Sequence, residues 1–148
     1  EFEFDVKDFT GGQLVVFEKL FDDQKDEIAK HEDKDDEGQT VDIKRTDNVE
    51  ISKQDIAGNE LEGATLVVTN TKTKNIVDKW VSGKEPHKVN GLIENEEYIL
   101  HEEIVINGYV KATDIKFTVT SDKEIQKVIM IDKVLEVVKT DLVTGEEI

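Results

Sequence analysis

Apolar and polar residues alternate along this chain in short runs separated by turn-forming residues, while helical periods are scarce. The clearest run is V-E-I-S-K-Q-D-I at 49–56. Side chains two apart on a strand share a face, so Val49, Ile51 and Lys53 form one row. Further runs fall at 64–70, 75–82, 88–92, 98–103, 115–120 and 127–132. Between them stand Ala57-Gly58-Asn59, Asn95, Asn107-Gly108 and Ser121-Asp122, all with turn chemistry. Short strands at such intervals, rich in Val, Ile and Thr and with Pro86 as the single proline, predict an all-β sandwich. Trp80, inside I-V-D-K-W-V, is expected in its core.

The flanks carry related patterns. E-F-E-F-D-V at the start alternates, Gly11-Gly12 is a turn, and L-V-V-F-E-K-L-F at 14–21 is apolar on both faces, as an interior strand would be. Two more short strands are expected at 28–32 and 39–43. In the tail, V-V-K-T-D-L-V-T-G-E-E-I places Lys139 and Asp141 as the earlier run places Lys53 and Asp55. The pattern predicts the closing part of one β module at 1–45, a complete β-sandwich at 46–134 and the first strand of another repeat at 135–148. Such a segment reads as cut from a tandem array.

Charge narrows the function classes. A net charge of −16 argues against nucleic acid and anionic membrane surfaces, both polyanions. No apolar run is long enough to span a bilayer. There is no cysteine, which removes disulfides and thiolate metal sites. Asp33, Asp35, Glu37 and Gly38 imitate the start of a calcium-binding loop, but the closing glutamate position holds Lys44 and no helices flank it. A solvated acidic loop is the better reading, and no metal site is predicted. His31, His87 and His101 show no metal or triad spacing, and no Gly-rich phosphate loop is present, so neither a cofactor nor an enzyme is expected.

The chemistry that stands out is internal. A lysine in the inward row of a strand is costly unless it loses its charge or meets a carboxylate. By the same parity Tyr98, Leu100 and Glu102 share one face, and Val128, Met130 and Asp132 another. One lysine and two carboxyls therefore lie in line with apolar neighbours on three strands. From the residues alone they are edge charges at strand ends, a buried salt bridge or a reactive cluster.

Several ordered motifs bear on that choice. I-S-K-Q-D-I-A-G-N-E-L-E-G-A-T-L, V-D-K-W-V-S, E-P-H-K-V-N-G-L, Y-I-L-H-E-E-I-V-I-N-G-Y and V-I-M-I-D-K together resemble a collagen-adhesin B-type (CnaB-like, or SpaA-type pilin) domain over about residues 47–134. The resemblance implies a prealbumin-like β-sandwich used as a stalk repeat in Gram-positive pilins and adhesins. It implies an intramolecular isopeptide bond between Lys53 and Asp132, assisted by Glu102 in E-x-x-x-x-x-G-Y. Glu103-Ile104-Val105-Ile106 departs from the family's T-x-A-P, which leaves Glu102 and Glu103 both open, with face parity favouring Glu102.

Residues 1–45 resemble the end of a VaFE-type repeat, related to domains with a Thr–Gln ester bond, through L-V-V-F-E-K-L and I-A-K-H-E-D-K-D-D-E-G-Q-T-V. That resemblance implies Gln39 as acceptor, His31 and Asp36 as helpers and Glu18 as the buried acid, with the donor threonine on a strand this segment lacks. Lys139 is the candidate cross-linking lysine of the following repeat. Together these imply an extracellular stalk segment at the cell surface or cell wall. Its partners are neighbouring domains of the same surface protein and a host ligand, with no membrane contact by this segment. An adhesive ligand-binding module without a covalent cross-link is the alternative.

Overall fold

The structure, a computed structural model, describes residues 11–138 and 143–144. The initial E-F-E-F-D-V run and the tail residues Lys139 and Asp141 lie outside them.

The N-terminal part holds β1 (Gly12–Val15), β2 (Glu18–Phe21), β3 (Glu27–His31), a one-turn 3-10 helix (Glu37–Gln39) and β4 (Thr40–Ile43). The pairs β1–β4 and β2–β3 are antiparallel ribbons. The run at 14–21, expected as one interior strand, breaks at Val16-Phe17, and every residue of β2 is exposed. Its apolar faces find no second layer among the described residues, so burial does not hold it straight. The strand expected at 39–43 starts one residue later, because the Asp36 carboxylate accepts the Gly38 N–H at 2.7 Å and caps the helical turn.

The larger part begins with β5 (Arg45–Thr46) and β6 (Val49–Gln54). There follow β7 (Thr65–Asn70), β8 (Ile76–Val81), β9 (His87–Val89), β10 (Leu92–Ile93) and β11 (Glu97–Ile104). It closes with β12 (Tyr109–Val110), β13 (Ile115–Thr118), β14 (Gln126–Ile131) and β15 (Lys133–Val134). One sheet has the order β13-β11-β7-β8 and the other β14-β6-β9, so the alternation is resolved as an all-β sandwich. The strand expected at 88–92 is divided at Asn90-Gly91. Gly91 takes φ +69°, its N–H donates to Asp47 Oδ1 at 2.7 Å, and the chain passes from β6 to a new partner, β5.

Each sheet contributes its inward row to the core: Val49 and Ile51 from β6, Leu66 and Val68 from β7, Tyr98 and Leu100 from β11, Val128 and Met130 from β14. Tyr98 and Phe117 stack with centroids 5.9 Å apart. Trp80 is half-buried, packed against the edge of this core with its ring on His87 at 4.1 Å. Among the described strands, β14 and β6 form the one parallel pair, with Val49 opposite Gln126 and Gln54 opposite Ile131. That pairing lays the first long strand of the sandwich beside its last.

Candidate functional site

Strand parity carries three ionisable side chains into the interior. Lys53 sits on β6 in the row of Val49 and Ile51, Glu102 on β11 in the row of Tyr98 and Leu100, and Asp132 directly after β14 in the row of Val128 and Met130. Their exposures are 1%, 0% and 1%, which excludes strand-end charges in water. Backbone pairing fixes two of them: Lys53 C=O accepts the Leu61 N–H at 2.7 Å, and the Asp132 N–H donates to Gln54 C=O at 2.9 Å.

The three groups touch. Lys53 Nζ donates to Asp132 Oδ1 and lies 2.9 Å from Glu102 Oε1. Glu102 Oε2 accepts the Ala112 N–H at 2.9 Å, while Asp132 Oδ2 is buried without a hydrogen-bond partner. Glu103, the alternative by sequence, points outward and pairs with Lys79 at 2.6 Å on the surface. Two carboxyls with one ammonium, all dry, cannot be fully ionised at low cost. Burial raises the Asp132 pKa; Lys53 opposes that shift and the nearby Glu102 adds to it. Burial thus moves Asp132 toward its protonated form, with the carboxyl group in contact with the Lys53 nitrogen.

The N-terminal candidates form a looser set. His31 Nε2 lies 2.9 Å from Asp36 Oδ2, with both side chains partly exposed. Glu18 stands opposite His31 in the β2–β3 register, but it is exposed rather than buried. Gln39 is half-buried and its Oε1 is enclosed without a hydrogen-bond partner. Lys139 lies outside the described residues.

Sequence reading missed two features. The Ala112 N–H on Glu102 is a backbone group and leaves no mark in residue identity. His101 and Asp114, paired at 2.7 Å on the outer face of β11, read as ordinary surface polarity until the fold joins them.

Comparison with known proteins bears on the family and the fold. The SpaA prealbumin-like fold domain matches residues 47–134, and the T-Q ester bond containing domain matches residues 1–43. None of the curated proteins matches the chain. Among solved structures, the TIE protein of Bacillus anthracis is 32% identical over 59% of this chain and 17% of its own, with a TM-score of 0.49. The shaft pilin SpaA of Lactobacillus rhamnosus GG is 14% identical over 68% of this chain and 51% of its own, with a TM-score of 0.53. The chain thus spans about a sixth and about half of those two proteins. Inward-facing rows, two facing sheets and a matched span of more than half the chain lead to one conclusion: this chain belongs to the SpaA prealbumin-like fold family.

Proposed function

We propose that residues 46–134 are a structural stalk module of a Gram-positive surface adhesin or pilin, stabilised by an isopeptide bond that it forms within itself. The observation that carries this reading is the contact of Lys53 with both Glu102 and Asp132 in a fully buried cluster. A proton passes from the Lys53 ammonium to Asp132 inside the dry cluster, and the amine so formed attacks Cγ of the protonated acid. Glu102 Oε1 takes a proton from the nitrogen and returns it to the departing hydroxyl, so one water leaves and an Nζ–Cγ amide remains. Holding the reacting atoms in contact can lower the barrier by about 7–11 kcal/mol. The step turns over once and modifies the protein itself, so in this reading the chain is not an enzyme. Gln39, whose N–H donates to the C=O of Asp36, the partner of His31, is the acceptor half of a Thr–Gln ester site, and its enclosed, unpartnered Oε1 supports that assignment.

The test is an intact mass with peptide mapping. The purified chain should weigh one water less than its sequence and yield a branched peptide joining Lys53 to Asp132. Lys53→Ala should have its full sequence mass. A wild-type chain at full mass would overturn the cross-link.

A further inference from the structure

The pairing of β11 with β13 covers 97–100 and stops at Leu100 opposite Ile115. Beyond that point the loop 111–114 takes the place β13 would have occupied, and it grips β11 from both faces. On the inside, the Ala112 N–H donates to Glu102 Oε2 at 2.9 Å. On the outside, His101 Nδ1 lies 2.7 Å from Asp114 Oδ1, and Lys111 Nζ lies 3.5 Å from His101 Nε2. Residues 101 and 102 point to opposite faces, so a single loop holds both.

This arrangement gives the two oxygens of Glu102 different work. Oε2 is engaged by a backbone donor and cannot turn into the cluster without leaving that donor unpaired. Oε1 faces Lys53. We propose that Ala112 is a positioning residue whose N–H, held by the His101–Asp114 clasp, fixes Glu102 so that Oε1 alone carries the proton between Lys53 and Asp132. The inference rests on the cross-link reading above and deepens it: the loop 111–114 sets the rate of bond formation. Without the N–H the carboxylate is free to rotate, and the proton carrier is misplaced in part of the population.

The experiment is timed in vitro translation of the full chain, quenched in SDS, with the water-loss fraction read by intact mass. Ala112→Pro removes the donor, and Ala112→Gly keeps it. A lost hydrogen bond to a charged group corresponds to about a tenfold or greater change in rate, so Ala112→Pro should cross-link at least about tenfold more slowly. Ala112→Gly should match wild type, which an effect of side-chain packing alone would not produce. Folding of the proline variant is checked by circular dichroism. A folded Ala112→Pro chain reacting at the wild-type rate overturns the proposal, as does an Ala112→Gly chain as slow as the proline variant. If Ala112→Pro does not fold, Asp114→Ala at its exposed site decides. A rate lowered by about threefold or more supports the clasp, within the range of a partly exposed hydrogen bond to a carboxylate, and a wild-type rate overturns it. A wild-type chain that never loses water removes the underlying reading itself and is told apart by that result.

Discussion

Replacing Glu102 by Gln isolates the proposed Lys53–Asp132 bond from the packing around it. Glutamine keeps the shape of the side chain and an oxygen for the Ala112 N–H, but it cannot accept the lysine proton. It also leaves Lys53 and Asp132 as a balanced buried pair, so charge balance improves on substitution. The stability lost is then that of the missing amide. Lys53 and Asp132 are 79 positions apart, and closing a loop of that length removes roughly 4.5 kcal/mol of unfolded-state entropy at 25 °C. In a folding unit of under a hundred residues, each kcal/mol moves Tm by about 4–8 °C, so Glu102→Gln should melt roughly 20–35 °C below wild type. The assay is thermal unfolding by circular dichroism on samples whose intact mass is known. A variant at full sequence mass that melts within about 5 °C of wild type refutes the loop-closure argument. A variant still one water short refutes the proton-carrying role of Glu102.

Lys53→Ala leaves two carboxyls facing each other in a dry site. Stranding a buried partner in this way costs about 3–5 kcal/mol, on top of the lost amide. Asp132 already has a raised pKa with Lys53 opposing the rise, so removing the lysine leaves the direction unchanged. A carboxyl with a raised folded-state pKa contributes stability below its unfolded pKa and loses it as pH rises through the folded value. Lys53→Ala should therefore melt higher near pH 4 than at pH 7, and a flat or reversed profile by calorimetry would count against a buried acid. Asp132→Asn presents an amide carbon to the same amine. The expected product has lost one ammonia, and a mass showing loss of water would place the bond elsewhere. Tyr98→Phe removes the oxygen that accepts the Ile93 N–H at 2.9 Å and should cost about 1–3 kcal/mol in urea unfolding, with the variant still one water lighter than its own sequence mass.

Much of the sandwich was legible because parity is a strong constraint. Val49-Ile51-Lys53, Tyr98-Leu100-Glu102 and Val128-Met130-Asp132 each face inward as two-residue periodicity requires. Parity gives the face but not the neighbour across the core. The meeting of Lys53, Glu102 and Asp132 depends on β14 lying parallel to β6 and on the β11 sheet facing them. Sequence reading reached that meeting through motif resemblance. The misplaced elements share a cause. The breaks at Val16-Phe17 and at Asn90-Gly91 are set by what pairs with each half, and β9 and β10 have different partners. The Ala112 contact was invisible because any residue except proline supplies the same donor.

The parallel register of β6 and β14 also decides how the module answers tension. Lys53 stands one residue before the end of β6, and Asp132 one residue beyond β14. With those side chains joined, a pull arriving at Val49 runs along β6, crosses the amide and leaves through Lys133. The sheet of β7, β8, β11 and β13 lies off that route. In the proposed cross-linked form nearly 80 residues, about 260–290 Å of extended chain, would be withheld from stretching, and the module would act as a link of fixed length.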